Sequence, residues 1–353
     1  MTELESARPT PVLEVEDLHK HFERTKGFMR KVQGVVRAVN GVSFTLHQGE
    51  TLALVGESGS GKTTTGRCLV RAIEPSSGNI HYLRDDDRID VRAAARTELR
   101  ELRQDVRMIF QDPFSSLNPR MTLQQLIGEP LLINNRVSSK AQLRERVAEL
   151  LELVHLNPSY MNRYPHAFSG GQRQRIAIAR ALALDPKVVI ADEAVSALDV
   201  SVQAQVLNLL KELQSERGLT YLFIAHDLAM VRYQSDRVAV MYLGKIIEIS
   251  TRDEIFDNPL HPYTELLLAS APVPDPRRKR KRITARGEVP DPANRPSGCE
   301  FHPRCPYAQP ICVIETPELT VAAPDAPSHQ VACHFWQDLS LNPNPTNTKV
   351  DQT

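Results

Sequence analysis

Residues Gly56-Glu57-Ser58-Gly59-Ser60-Gly61-Lys62-Thr63 follow the spacing G-x-x-x-x-G-K-T, between an apolar β-rich run, Thr51 to Val55, and a helix-forming segment, Thr63 to Ala72. No other feature constrains the fold as strongly. Glycines let the backbone curl until its N–H groups and the helix N-terminus converge on phosphate oxygens, where the helix dipole favours negative charge. The Lys62 ammonium would meet the β- and γ-phosphates, and the Thr63 hydroxyl would ligate Mg²⁺, a cation that prefers oxygen. The pattern predicts a strand-loop-helix unit in an α/β protein that binds a nucleoside triphosphate. Kinases, GTPases and many ATPases share it, so the reaction class has to come from other residues.

Strands are also expected at Val12 to Val15, at Val42 to Leu46, and in the near-continuous apolar runs Lys187 to Ala191 and Thr220 to Ala225. The last two read as strands of a largely parallel sheet, buried on both faces. The run at 188–191 ends in Asp192-Glu193, two carboxylates delivered to the edge where open α/β sheets bind ligands. Asp192 suits the Mg²⁺ shell, and Glu193 can orient or polarise an attacking water in an in-line displacement. The bland alternative is that the pair only caps the next helix. Between the two halves, roughly 113–175, the pattern is helical, with apolar residues three and four apart in Ala141 to Val154.

The 353 residues carry 43 Lys+Arg and 43 Asp+Glu, a net charge of zero that argues against nucleic acid as the main partner. No stretch approaches the roughly 18 apolar residues of a membrane-spanning helix, and the polar start, Met1 to Pro11, has no apolar signal core. These features suggest a soluble cytoplasmic chain. From Ala271 the composition turns to Pro272-Val273-Pro274-Asp275-Pro276 and a basic run, Arg277 to Arg282. That run reads as a solvated linker or a contact for anionic lipid headgroups. Beyond it, Cys299, Cys305, Cys312 and Cys333 cluster in a proline-rich stretch with little apolar content, where a metal could supply folding energy that packing cannot. Their spacing lacks two C-x₂-C knuckles, leaving a [4Fe–4S] cluster, a structural zinc or free thiols open. Cys68, in the helix after the phosphate loop, reads as core.

The residues Phe168-Ser169-Gly170-Gly171-Gln172, ahead of a helical run from Arg173 to Leu184, resemble the signature motif of the ABC ATPases. Ser169, Gly170 and Gly171 at a helix N-terminus make a second anion site. The resemblance implies that this site completes the nucleotide pocket of a facing subunit, in a head-to-tail dimer with ATP at each interface. It also implies a RecA-like core with an antiparallel β subdomain and a helical insert. Gly56 through Thr63, with Thr64, then become the phosphate-binding set, and Thr63, Gln111 and Asp192 the Mg²⁺ set. Glu193 is the implied catalytic carboxylate, supported by Lys62, Gln111 and His226, the last facing the γ-phosphate. Ser169, Gly170, Gly171, Gln172 and Asp199 are the implied cross-interface residues. Phe22 is the candidate adenine-stacking aromatic, although a Lys/Arg-containing insertion at about 24–37 separates it from the next strand.

Two longer stretches, Phe110 to Met121 and Asn258 to Thr264, resemble the oligopeptide/dipeptide importer ATPases, and the Asn118-Pro119-Arg120-Met121 ending resembles the second ATPase of their heterodimeric pair. This implies a paralogous ATPase partner, two membrane permease subunits and an extracytoplasmic solute-binding protein, with the chain peripheral on the cytoplasmic side of a bacterial inner membrane. The likeness favours a [4Fe–4S] cluster on Cys299, Cys305, Cys312 and Cys333, with zinc as the alternative. The expected organisation is an ATPase domain at 12–270, a linker at 271–297, a cysteine-rich segment at 298–336, and disordered tails at 1–11 and 341–353. Nickel or a sugar are alternative solutes. A soluble ABC protein of translation or DNA repair fits less well, since there is one cassette and no heptad run. A non-catalytic regulatory cassette would require the loss of Glu193 or His226, and both are present.

Overall fold

The computed structural model describes residues 10–26, 31–84, 87–112, 116–270, 287–323 and 326–341. The basic run at 277–282, the start of the helical insert at 113–115 and most of both expected tails lie outside these residues. Strands β1 (Pro11–Lys26) and β2 (Lys31–His47) pair antiparallel, with Phe22 opposite Val36. The stretch read as an insertion is therefore the far end of a hairpin, with Arg24 opposite Gly34 and Lys26 opposite Lys31. Strand β3 (Thr51–Val55) leads through the phosphate loop into α1 (Lys62–Leu69). Strands β4 (Ser77–Arg84) and β5 (Asp87–Asp90) complete a four-stranded antiparallel sheet of order β2-β1-β4-β5.

Helix α2 (Arg96–Asp105) runs into β6 (Val106–Ile109), and the helical insert follows with α3 (Leu123–Ile133) and α4 (Lys140–Leu153). Helices α3 and α4 each start on a side-chain cap, Thr122 accepting from the Gln125 N–H and Ser139 from the Gln142 N–H. Helix α5 (Gly170–Leu182) returns the chain to β7 (Val188–Asp192). There follow α6 (Val200–Arg217), β8 (Thr220–Ala225), α7 (Leu228–Gln234), the antiparallel pair β9 (Arg237–Tyr242) and β10 (Lys245–Thr251), then α8 (Arg252–Asp257) and α9 (Pro262–Ser270). The cysteine-rich segment contributes α10 (Pro310–Ile314) and a hairpin of β11 (Thr320–Ala323) and β12 (Ala326–Val331).

Among the described residues the second sheet has eight strands in the order β11-β12-β10-β9-β3-β8-β7-β6. Its centre is parallel, with β3 between β8 and β9, and β7 between β8 and β6. The C-terminal hairpin is not a detached appendage, because β12 pairs antiparallel with β10 through Glu248 opposite Val331. Side chains of the parallel strands alternate between two cores. Leu52, Leu54, Ile190 and Ile224 pack toward the antiparallel sheet with Leu13, Val42 and Leu46. Ala53, Val55, Val189, Ala191 and Phe223 pack toward the helices with Leu126, Val147, Ile176 and Leu210. Burial on both faces is why these strands read as unbroken apolar runs.

Candidate nucleotide site

Strands β3, β6, β7 and β8, four of the five parallel strands among the described residues, end at the same edge of the sheet, and register sets the level of each ending. Val55 lies opposite Ala225, Asp192 opposite Ile224, and Ile109 opposite Ala191. The phosphate loop, His226, the Asp192-Glu193 pair and Gln111 are thus delivered to one line. The loop needs its glycines for space as well as conformation. Gly61 has φ 103°, and a Cβ there would fall 2.2 Å from the Ala38 carbonyl oxygen. Gly56 has φ 153°, with the Met241 carbonyl oxygen 2.2 Å from its missing Cβ. Ser58 and Gly59 form the exposed tip of the loop, while Ser60 is buried and Thr64 half-buried.

Lys62 closes the loop on itself. Its Nζ donates to the carbonyl oxygens of Gly56 (2.8 Å) and Glu57 (2.9 Å) and to Ser60 Oγ (3.2 Å). Burial lowers the pKa of this ammonium, opposed by the nearby Glu193, Asp192 and Glu57 carboxylates. Thr63 Oγ1 donates to Asp192 Oδ1 at 2.8 Å. Asp192 is fully buried, and its Oδ2 has no hydrogen-bond partner in the protein. Desolvation raises its pKa, against the Thr63 hydrogen bond, so a cation here would relieve a carboxylate that the protein leaves half-satisfied. A hydroxyl and an orphaned carboxylate oxygen side by side are a donor set that fits Mg²⁺.

Glu193 follows directly at φ 46°, a left-handed conformation uncommon outside glycine, held by its N–H donating to the Ile224 carbonyl at 2.9 Å. The turn swings its carboxylate away from Asp192 and toward Gln111, whose Nε2 donates to Glu193 Oε2 at 2.7 Å. His226 Nδ1 stands 3.4 Å from Glu193 Oε1, with its side chain 55 % exposed.

The signature residues form a second group. Ser169 caps α5 in a reciprocal box, its Oγ accepting from the Gln172 N–H and its own N–H donating to Gln172 Oε1 at 3.1 Å. Gly171 has to be small, since a Cβ would lie 2.3 Å from Val202 Cγ1 of α6. Asp199 stands exposed at the N-cap of α6 without a side-chain capping bond, beside Val200, which is 82 % exposed. Phe22 is half exposed on β1 with Lys20 Nζ 4.9 Å from its ring centre, and it pairs with Val36, two positions along β2 from Ala38, whose carbonyl oxygen faces Gly61 of the loop.

Cys299, Cys305, Cys312 and Cys333 line one cavity of ≈ 20 Å³ together with His302, His334 and Phe335. That volume holds about one water molecule. Burial pushes the Cys305 thiol up to about 12 and the Cys333 thiol up to about 11. Among the described residues no three His, Cys, Asp or Glu side chains are arranged to hold a metal ion. The cysteines expected to ligate a cluster are therefore brought together around one small cavity, Cys312 buried and Cys299, Cys305 and Cys333 half-buried, but not as an arranged ligand set. Cys68 is buried in the core, as its place in α1 predicts.

Two contacts to the phosphate loop have no counterpart in the sequence reading. The Glu57 N–H donates to Tyr263 Oη at 2.9 Å, and the Glu57 carboxylate is gripped by Arg304. Tyr263 lies inside the noted Asn258 to Thr264 stretch, which could have pointed to it. Arg304 lies between two cysteines, with nothing in its surroundings to connect it with residue 57.

Residues 39–196 match the family model described as ABC transporter, and residues 247–312 match the one described as oligopeptide/dipeptide transporter, C-terminal region. The chain is 52 % identical over 334 residues to the oligopeptide transport ATP-binding protein AppF of Bacillus subtilis (strain 168), covering 94 % of this chain and 99 % of that one. It is 49 % identical over 312 residues to the oligopeptide transport ATP-binding protein OppF of Salmonella typhimurium, covering 87 % and 92 %. Among solved structures, the dimeric post-hydrolysis state of the ATP-binding cassette MJ0796 bound to ADP and Pi superposes with a TM-score of 0.59 at 28 % identity, covering 68 % of this chain and 98 % of that one. With its sheet-edge site, its signature helix and these likenesses, the chain belongs to the ABC transporter ATPases, in the oligopeptide/dipeptide transport branch.

Proposed function

We propose that this chain binds and hydrolyses ATP to energise the import of di- and oligopeptides. The observation that carries the catalytic part is the convergence at one sheet edge of Lys62, the Thr63–Asp192 pair and the Gln111–Glu193–His226 group. Lys62 and the loop N–H groups would receive the β- and γ-phosphates, releasing the lysine from the carbonyls it now caps. Thr63 and Asp192, with Gln111 beside them, would hold Mg²⁺, which neutralises phosphate charge when bound. Glu193 is aimed so that it can orient the attacking water, and His226 stands where it can face the terminal phosphate. Ser169 through Gln172 and Asp199 would complete the site of a facing subunit, here proposed to be a paralogous ATPase.

The relatives' names support the peptide part, and with it two permease subunits and an extracytoplasmic binding protein. Working with those permease subunits, this chain would sit at the membrane surface, on the cytoplasmic side; no helix among the described residues is long and apolar enough to cross a membrane. Deleting the gene should abolish uptake of labelled di- and oligopeptides, restored by the wild-type chain and not by Lys62→Ala. Peptide uptake that persists while uptake of nickel or a sugar is lost would assign another solute.

We propose further that the four C-terminal thiols receive a metal centre, a [4Fe–4S] cluster before zinc. Their convergence on one cavity supports this reading. About four irons and four sulfides per chain after anaerobic purification, lost in Cys305→Ser, would bear this out; one zinc, or no metal, would end the cluster reading.

A further inference from the structure

The turn that carries Cys299 and Cys305 also carries Arg304, whose side chain leaves the thiol cavity and reaches the phosphate loop. Nη1 and Nη2 donate to Glu57 Oε2 and Oε1 at 2.8 and 3.0 Å, with 7 % of the Arg304 side chain exposed. A two-pronged contact of this kind fixes orientation as well as distance. The guanidinium lies 5.9 Å from the ring centres of Tyr242 and Phe301. Those rings pack with Tyr263, the pairs Tyr242–Tyr263 and Tyr263–Phe301 standing 4.6 and 5.4 Å apart. Glu57 is thus held at three points: its carboxylate by Arg304, its N–H by Tyr263 Oη, and its carbonyl by Lys62 Nζ. The last of these is the lysine that would meet phosphate.

We propose that Arg304 is a positioning residue for ATP: docked on Glu57, it makes the shape of the phosphate loop, and with it nucleotide affinity, depend on the cysteine-rich segment. The proposal rests on the ATP-site reading above and deepens it. Arg304 touches the loop and no reacting group. The turn that aims it is built from successive backbone hydrogen bonds, His302 N–H to the Cys299 carbonyl (2.9 Å), Arg304 N–H to the Phe301 carbonyl (2.9 Å) and Cys305 N–H to the His302 carbonyl (3.3 Å). It begins and ends on cysteines that face the cavity, so their packing is what aims the guanidinium.

The test is calorimetric measurement of the Kd for Mg-ATP on the full chain, with the thermal unfolding midpoint of each variant. Arg304→Ala should raise Kd about tenfold while the midpoint stays near wild type, and Arg304→Lys should fall between, since it keeps the charge and loses the fork. Lys245→Ala cuts a different tie to the same segment, Lys245 Nζ to Glu300 Oε1 at 3.6 Å, and should leave Kd unchanged. A wild-type Kd in Arg304→Ala, or an equal rise in Lys245→Ala, overturns the proposal. If Arg304→Ala does not fold, Arg304→Lys decides: an intermediate Kd supports the coupling and a wild-type Kd overturns it. Lys62→Ala separates the two readings, because unchanged ATP affinity in that variant would sink the ATP site itself.

Discussion

The side-chain amide of Gln111 donates to Glu193 Oε2 at 2.7 Å, joining the residue two past β6 to the residue that follows β7. Either partner can therefore be altered to ask what the other is for. Glu193→Gln should cut ATP hydrolysis by about 10²-fold or more while ATP still binds, because it keeps the shape and removes the charge that orients water. Gln111→Ala leaves that carboxylate in place and should cost less, about tenfold. Phosphate release together with nucleotide binding on each variant checks the order, and equal losses would mean that Glu193 acts only through its partner.

Gly61→Ala should remove ATP binding altogether. Its Cβ would lie 2.2 Å from a carbonyl oxygen at a φ of 103°, so the backbone of the loop has to move. Gly59→Ala is the control for space, since nothing lies within 4 Å of its Cβ and only its φ of 79° opposes the change. Titration with a fluorescent ATP analogue should show a much smaller loss for the second variant than for the first.

His261 gives the fold a pH dependence of known sign. Complete burial lowers its pKa from 6.5 to about 3, and its Nδ1 accepts from the Tyr263 N–H at 3.0 Å, a role open only to the neutral ring. The unfolded chain binds the proton first, so stability from this residue is complete above pH 6.5 and falls as pH drops toward 3. Between pH 7 and pH 5 the loss should be about 2 kcal/mol, at about 1.4 kcal/mol for each unit below 6.5. Urea unfolding at both pH values should show a smaller difference in His261→Asn than in wild type.

Glu248 is a buried carboxylate with three donors: the Leu260 and His261 N–H groups at 2.7 and 3.0 Å, and His329 Nε2 at 2.8 Å. His329→Ala should cost about 2 kcal/mol, since it strands part of a buried charge. Glu248→Gln in the same background should not recover that loss, because both carboxylate oxygens accept backbone N–H bonds and an amide NH₂ would face one of those donors; urea midpoints of the single and double variants measure the coupling.

What could be read from the residues alone divides by range. The phosphate loop, Asp192-Glu193 and the Ser169 turn are local patterns, each fixed by neighbours in the chain, and the structure forms all three where the spacing puts them. The strands at 188–192 and 220–225 were legible because burial on both faces leaves an unbroken apolar run. The ties Arg304 to Glu57 and His329 to Glu248 span 247 and 81 positions, and depend on how the cysteine-rich segment packs onto the sheet. No local periodicity encodes such contacts. The hairpin of β1 and β2 was misread for a related reason: the charged residues between about 24 and 37 look like a loop, and strand pairing overrides them.

The pairing of β12 with β10 has a consequence for solubility. Without the hairpin, β10 would be the outermost strand, presenting an open row of backbone donors and acceptors beside the apolar Ile246, Ile247 and Ile249, a template on which another chain can add itself. The hairpin covers the middle of that row, at Glu248 and Ile249, and ends in β11, a rim of four residues. Removing the cysteine-rich segment to obtain a minimal ATPase would therefore uncover an adhesive border, and a shortened chain that aggregates would be reporting a missing cover rather than a damaged nucleotide site.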